Sequence, residues 1–84
     1  MIETFIGNNN ISFEEGKRNS SVTTMIGYAQ HLNLSQDKLK AELIDYIDDD
    51  SFIKEEIDRL WNYCKSKNYK SYWSTDEAKR TYKF

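Results

Sequence analysis

The chain has no proline, one cysteine and one histidine among its 84 residues. One cysteine excludes an intrachain disulfide, and Cys64 with His31 is too small a set for a four-ligand zinc site. The three glycines are scattered, so no glycine-rich phosphate loop is present, and Asp48-Asp49-Asp50 lacks the spacing of a calcium loop. No residue is marked as a nucleophile with a partner base. We therefore expect no metal, no cofactor and no enzymatic activity.

Long apolar stretches are also missing. No run approaches the roughly 18 apolar residues of a membrane span, and MIETFIGNNN lacks the basic start and apolar core of a secretory signal. We therefore expect a cytoplasmic protein with no membrane partner. Because no repeat, low-complexity tract or proline marks a linker, residues 1–84 are expected to form one small domain.

Apolar residues recur at steps of three and four along most of the chain, the spacing of one helical face. They predict a mainly α domain of three to four helices, over about 21–33, 35–48, 51–67 and 75–82. Gly27 lies inside the first helix at a cost of about 1 kcal/mol relative to alanine, which close approach of another helix would justify.

The two ends of the chain each allow two structures. ETFIG and ISFEE flank Asn8-Asn9-Asn10, which suits either a short N-terminal β-hairpin or an irregular arm held by its apolar residues. In the tail, residues 69–73 and 80–84 could pair as a hairpin. The capping-box spacing of Ser74 and Glu77 instead favours a final helix.

The segment AQHLNLSQDKLKAEL joins two of the predicted helices by almost no linker. Asn33 stands where a left-handed residue is usually needed, Ser35 is a good N-cap, and small Ala29 allows close approach of the two helices. Leu34 and Leu39 are placed as a hydrophobic staple. These features are those of a helix-turn-helix, although two simply packed helices would share much of the pattern.

The segment resembles the helix-turn-helix of AraC-type and related bacterial or phage regulators, through Ala29, Leu32, Asn33, Leu34, Ser35 and Leu39. The resemblance implies that the helix from Ser35 is a recognition helix. It would face the major groove of double-stranded DNA through Gln36, Asp37, Lys38, Lys40 and Ala41. It also implies a regulator of phage or mobile-element type. Such small units commonly bind paired half-sites as a homodimer, for which the tail aromatics are the candidate interface.

The charges are unevenly distributed. Residues 60–84 hold six basic residues against two acids, and among them Lys65, Lys67 and Lys70 are candidate phosphate contacts. Four tail aromatics are candidates for stacking on bases or packing on the body: Tyr69, Tyr72, Trp73 and Tyr82.

The acidic middle of the chain supports a different function. Residues 36–59 hold nine acids against four basic residues. Such a surface can imitate a phosphate backbone, so the alternative is an inhibitor or adaptor that blocks a basic nucleic-acid-processing protein. Its candidate partner-binding residues are Asp45, Asp48, Asp49, Asp50, Glu55 and Glu56.

Overall fold

The computed structural model describes residues 2–84, which form helices and no strand. Five α-helices follow one another: α1 (Ile2–Asn9), α2 (Arg18–His31), α3 (Gln36–Leu43), α4 (Ile57–Ser66) and α5 (Asp76–Thr81). A π-helical turn (Phe52–Glu56) leads into α4, and a 3-10 helix (Tyr69–Ser74) precedes α5. The mainly α prediction is therefore confirmed.

The N-terminal segment is helix α1, so both expectations for it, the β-hairpin and the irregular arm, are wrong. Ile2, Phe5 and Ile6 are buried, and their spacing of three and four residues places them on one helical face. Asn10 does adopt a positive φ of 53°, but it ends a helix instead of turning a hairpin. The Ile11 N–H donates to the Ile6 carbonyl at 3.1 Å, as in a Schellman motif.

Asparagine ends three helices in this glycine-poor chain. Asn10, Asn33 and Asn68 have φ angles of 53°, 60° and 55° at the ends of α1, α2 and α4. Asparagine tolerates this left-handed conformation better than other residues with a Cβ. The prediction for Asn33 is confirmed: the Leu34 N–H donates to the Ala29 carbonyl at 2.9 Å, which reverses the chain toward α3.

Helix α3 begins as predicted and ends earlier than predicted. The Ser35 hydroxyl accepts a hydrogen bond from the Lys38 N–H at 3.1 Å, which confirms the N-cap. The helix stops at Leu43, whereas the apolar pattern predicted helix to residue 48. A turn over residues 44–46 takes Ile47 into the core and leaves Ile44 54% exposed. Acids beyond Leu43 also oppose the helix macrodipole, which favours an early end.

Asp49 links the beginning of the α4 segment to the beginning of α2. Its Oδ1 accepts a hydrogen bond from the Phe52 N–H at 3.1 Å, so it caps the helical segment that continues into α4. Its Oδ2 lies 3.4 Å from Arg18 Nη1, and the Arg18 guanidinium lies 5.5 Å from the centre of the Phe52 ring. The middle aspartate of the acidic triplet therefore has a structural role.

An aromatic cluster joins α1, α2 and the C-terminal segment. Phe5 stacks on Tyr28 with ring centroids 4.2 Å apart, and the Trp73 ring lies 5.1 Å from Tyr28 and 4.8 Å from Tyr82. Trp73 packs directly on Gly27, where a Cβ atom would lie 3.1 Å from the indole Nε1. The close approach expected at Gly27 is therefore confirmed, and the neighbour is the 3-10 helix.

The C-terminal segment is helical, so the hairpin alternative for residues 69–73 and 80–84 is wrong. The Thr75 hydroxyl accepts a hydrogen bond from the Ala78 N–H at 3.2 Å and caps α5. The Asn9 side chain then binds both the N–H and the carbonyl of Lys83, at 2.7 and 2.8 Å. These two hydrogen bonds hold the end of the chain against α1.

Candidate nucleic-acid interface

Two of the predicted recognition residues face the body of the protein. Gln36 and Lys40 lie one turn apart on α3, so they share one side of that helix. Gln36 Nε2 donates to Asp58 Oδ1 of α4, and Lys40 Nζ lies 2.6 Å from the same oxygen. The Lys40 side chain is only 23% exposed. Asp58 therefore attaches α3 to α4 through the two residues that were predicted to reach the major groove.

The exposed side of α3 has little positive charge. Lys38 and Ala41 are exposed, as a DNA-facing role requires. Asp37 and Asp45 are exposed too, so Lys38 is accompanied by two acids along this stretch. Phosphates would be attracted to α3 only weakly unless basic residues from other elements lie near it.

Such residues line a groove beside the turn between α2 and α3. The groove has a volume of about 420 Å³, and its lining is formed by Gln30, Asn33, Leu34, Trp61, Lys65, Asn68 and Lys70. It thus joins two of the three predicted tail lysines to the turn of the helix-turn-helix. Lys67 does not line the groove, and its Nζ lies 5.8 Å from the centre of the Tyr63 ring.

Local structure explains how the groove forms. Trp61 and Lys65 are separated by four residues on α4, so their side chains lie on one side of the helix. Gln30 Nε2 donates to the Trp61 carbonyl at 3.1 Å and joins α2 to α4. The left-handed Asn68 ends α4 and reverses the chain, which returns Lys70 to the groove.

The groove combines three kinds of chemistry. Lysine ammonium groups attract phosphates, an indole provides a stacking surface, and carboxamides both donate and accept hydrogen bonds. Sequence patterns alone did not single out Trp61, Gln30 or Asn68 as site residues. Trp61 is in fact only partly buried. The four-residue spacing of Trp61 and Lys65 was the signal that could have indicated a shared surface.

Most of the tail aromatics belong to the body of the protein. Trp73 is buried, and Tyr72 and Tyr82 are partly buried against the core. Tyr69 is 37% exposed and meets the Tyr63 ring edge-on, with centroids 5.9 Å apart. A hydrogen bond with Tyr63 raises the pKa of the Tyr69 phenol. Of the four tail aromatics, Tyr69 is thus the most accessible to a ligand or a second copy of the chain.

The acidic candidates separate into two groups. Asp49 accepts a hydrogen bond from the Phe52 N–H and forms an ion pair with Arg18. Glu56 accepts a hydrogen bond from Arg59, whose Nη2 lies 2.6 Å from Glu56 Oε2. The Glu56 contact raises the pKa of the Arg59 guanidinium. The other four acids are exposed: Asp45, Asp48, Asp50 and Glu55.

Asp45 belongs to a second cavity of about 320 Å³, lined by Glu3, Glu42, Asp45 and Tyr46. Partial desolvation at the cavity, reinforced by the three carboxylates, raises the pKa of the Tyr46 phenol. Tyr46 and its neighbour Ile44 are both substantially exposed. This end of α3 therefore presents apolar surface beside negative charge.

Cys64 and His31 lie apart from these surfaces. The Cys64 side chain is buried, its Sγ lies 3.8 Å from the Thr23 carbonyl oxygen, and burial raises the pKa of the thiol. His31 is partly buried in the last turn of α2. Residues 2–84 hold no group of three side chains arranged to bind a metal ion. In the same residues no helix is long and apolar enough to cross a membrane.

Comparison of the chain with protein-family models, with curated proteins and with solved structures gave no match. The geometry and charge of these surfaces are therefore the basis for assigning a function.

Proposed function

We propose that this protein is a small non-enzymatic regulator that binds double-stranded DNA. The observation that carries the proposal is the groove in which Lys65 and Lys70 lie beside the turn between α2 and α3. Two lysines at one groove provide the positive charge that α3 lacks. Phosphate contacts of this kind supply most of the affinity for DNA without depending on its sequence.

The structure changes how the recognition helix would act. Lys38 of α3, with Lys65, Lys67 and Lys70, would contact phosphates and position the protein, while Ala41 would face a base edge. Gln36 and Lys40 could reach DNA only by leaving Asp58, to which they are bonded in the free protein. We therefore assign most of the affinity to the groove and its flanking lysines, and we expect two copies to occupy paired half-sites.

The test is a fluorescence anisotropy titration of random-sequence duplex DNA with the wild-type protein and a Lys65→Ala/Lys70→Ala variant. Log affinity falls with log salt concentration, and each phosphate contact adds about 0.9 to the steepness of that fall. Because the variant lacks two contacts, its salt dependence should be shallower by roughly two. Its affinity at low salt should fall roughly tenfold or more.

A Lys17→Ala/Lys54→Ala variant is the matched control, because both residues are exposed and neither lines the groove. It has the same net charge as the test variant and should bind duplex nearly as the wild type does. Equal losses in the two variants would show that total charge, and not this groove, determines binding. Absence of duplex binding by the wild-type protein at low salt would overturn the proposal.

The exposed acids support a second candidate function, the binding of a basic nucleic-acid-processing protein. Asp45, Asp48, Asp50 and Glu55 are exposed, and Ile44 and Tyr46 add apolar surface next to Asp45. Apolar side chains provide affinity at protein interfaces, and the surrounding charge speeds association with a basic partner. Asp49 and Glu56 would contribute less, because intramolecular contacts already occupy them.

A further inference from the structure

The groove contains more than a phosphate site requires. Two lysines alone would suffice to hold a DNA backbone, yet Trp61 and the carboxamides of Gln30, Asn33 and Asn68 also line it. Its volume of about 420 Å³ falls within the range of small-molecule sites, roughly 300–1,000 Å³. An occupant that matches all of these groups has a flat aromatic ring, polar ring edges and a negative charge.

We propose that the groove binds one unstacked nucleotide, with its base on the Trp61 indole and its phosphate on Lys65 and Lys70. The inference rests on the proposed nucleic-acid function for the phosphate-binding role of Lys65 and Lys70, and it goes beyond duplex binding by assigning the groove a nucleotide whose base is unpaired. A base inside an intact duplex is covered on both faces by its neighbours, so it cannot also stack on an indole. The ligand is therefore a free nucleotide or a nucleotide in an unpaired strand.

The positions of the polar groups fit this ligand. Gln30 already donates Nε2 to the Trp61 carbonyl, which orients its amide and leaves Oε1 as an acceptor for an exocyclic amino group. Asn33 and Asn68 line the groove from the left-handed turns that end α2 and α4. Each carboxamide can donate and accept, as the edges of bases require.

The charges also give the nucleotide a direction. The C-terminal ends of α2 and α4 carry partial negative charge, which the Lys65 ammonium in the last turn of α4 offsets. The ammonium groups of Lys65 and Lys70 are the positive charges that line the groove. The phosphate is therefore held by the lysines, and the base lies on Trp61 and toward the asparagines.

Tryptophan fluorescence provides a direct readout. The chain has two tryptophans, and Trp73 is 4% exposed whereas Trp61 is only partly buried in the groove. The probes are adenosine, adenosine 5′-monophosphate and a five-nucleotide single strand of deoxyadenosine. We expect quenching by the monophosphate or the strand, with weaker binding of adenosine because it lacks the phosphate. Quenching by the strand alone assigns the site to unpaired strands, and quenching by both assigns it to nucleotides in general.

Variants separate stacking from charge. Trp61→Phe should keep binding, measured by anisotropy of the labelled strand, but lose the quenching because only Trp73 remains. Trp61→Ala should weaken strand binding by roughly 5- to 150-fold, the range reported for loss of one stacked base. Lys65→Ala should weaken binding of the monophosphate, whereas Lys54→Ala, at an exposed lysine outside the groove, should not.

The failure of this inference can be told apart from failure of the proposed function. If Trp61→Ala and Lys65→Ala bind the monophosphate and the strand as the wild type does, or if no probe quenches Trp61, the nucleotide site is refuted, whatever happens to duplex binding. If the probes quench Trp61 but duplex is not bound, the site stands and the duplex-binding proposal fails. Thermal unfolding of each variant verifies the fold, and the exposed Lys65 provides a variant that does not depend on core packing.

Discussion

Removing the carboxylate of Asp49 is expected to destabilise the protein, whereas removing that of Asp48 or Asp50 is not. The three residues are chemically identical and consecutive, but only Asp49 accepts the Phe52 N–H and lies 3.4 Å from Arg18 Nη1. Asp48 and Asp50 are exposed. Each of the three alanine variants removes one negative charge. A difference in their stability therefore reports the contacts of the individual carboxylate and not the change in net charge.

The magnitude follows from the two contacts of Asp49. Loss of an N-cap costs about 1 kcal/mol, within a range of roughly 0.5–2 kcal/mol. The ion pair adds less than about 1 kcal/mol, because the two side chains are partly exposed and water screens the charges. Asp49→Ala should thus lose roughly 1–2 kcal/mol of unfolding free energy, which lowers Tm by about 4–15 °C in a domain of this size.

The assay is thermal and urea unfolding followed by circular dichroism. Asp48→Ala and Asp50→Ala should stay within about 0.5 kcal/mol of the wild type. Asp49→Asn should recover most of the loss, because asparagine is also a good N-cap and only the ion pair is removed. An Arg18→Ala variant, alone and with Asp49→Ala, measures the coupling between the two side chains. Equal stability of the three alanine variants would refute the assignment of the cap to Asp49.

The remaining predictions concern the acidic surface and the cysteine. If the exposed acids bind a basic partner, the variant Asp48→Asn/Asp50→Asn should no longer co-purify with that partner. The control variant Glu14→Gln/Glu15→Gln should still co-purify with it. Persistence of the complex in the first variant would exclude this surface. Because burial raises the pKa of Cys64, the native thiol should resist iodoacetamide and react only on unfolding, as measured by mass spectrometry. The unfolded thiol ionises above about pH 8.5, so the stability contributed by the protonated Cys64 should be present below that pH and decline above it. Rapid alkylation of the folded protein would contradict the buried position. An alkaline decline in unfolding free energy that is no steeper in the wild type than in Cys64→Ser would contradict it too.

Local sequence rules predicted the central helices because their apolar residues recur at helical spacing and because residues near the turn between α2 and α3 mark its position. The stripe that includes Val22, Met25 and Ile26 is buried as its spacing indicates, and Ser35 and Asn33 form the expected cap and turn. These features depend on residues a few positions apart. The hydroxyl and carboxamide that determine them are visible in the sequence.

The ends of the chain were harder to predict because short segments satisfy more than one pattern. The eight residues of α1 contain only one apolar face of three residues, and the asparagines that follow suit a hairpin turn as well as a helix end. In the tail, local capping spacing predicted α5, but it did not predict the 3-10 helix, whose Trp73 packs on Gly27, more than 40 positions earlier in the chain. A choice that depends on a distant partner is not encoded in local spacing.

The candidate site likewise combines features that local sequence predicted with features that depend on contacts between distant segments. The sequence identified Lys65 and Lys70 as candidate phosphate contacts, and their side chains are exposed. It also placed Gln36 and Lys40 on a DNA-facing surface, whereas Asp58 holds both of them against α4. Asp58 is 18 residues from Lys40 in the chain, and only the packing of α3 on α4 brings them together.

The sequence by itself thus determined that the chain is mainly helical, where α3 begins, and which residues carry charge, because these properties follow from side-chain chemistry and spacing within a few turns. Tertiary structure alone decided which of three aspartates pairs with Arg18, which lysines are free, and that Trp61 shares a groove with Asn33 and Lys70. The physical reason is that this groove, the Arg18–Asp49 ion pair and the contact of Trp73 with Gly27 join segments that are distant in sequence and that core burial brings together.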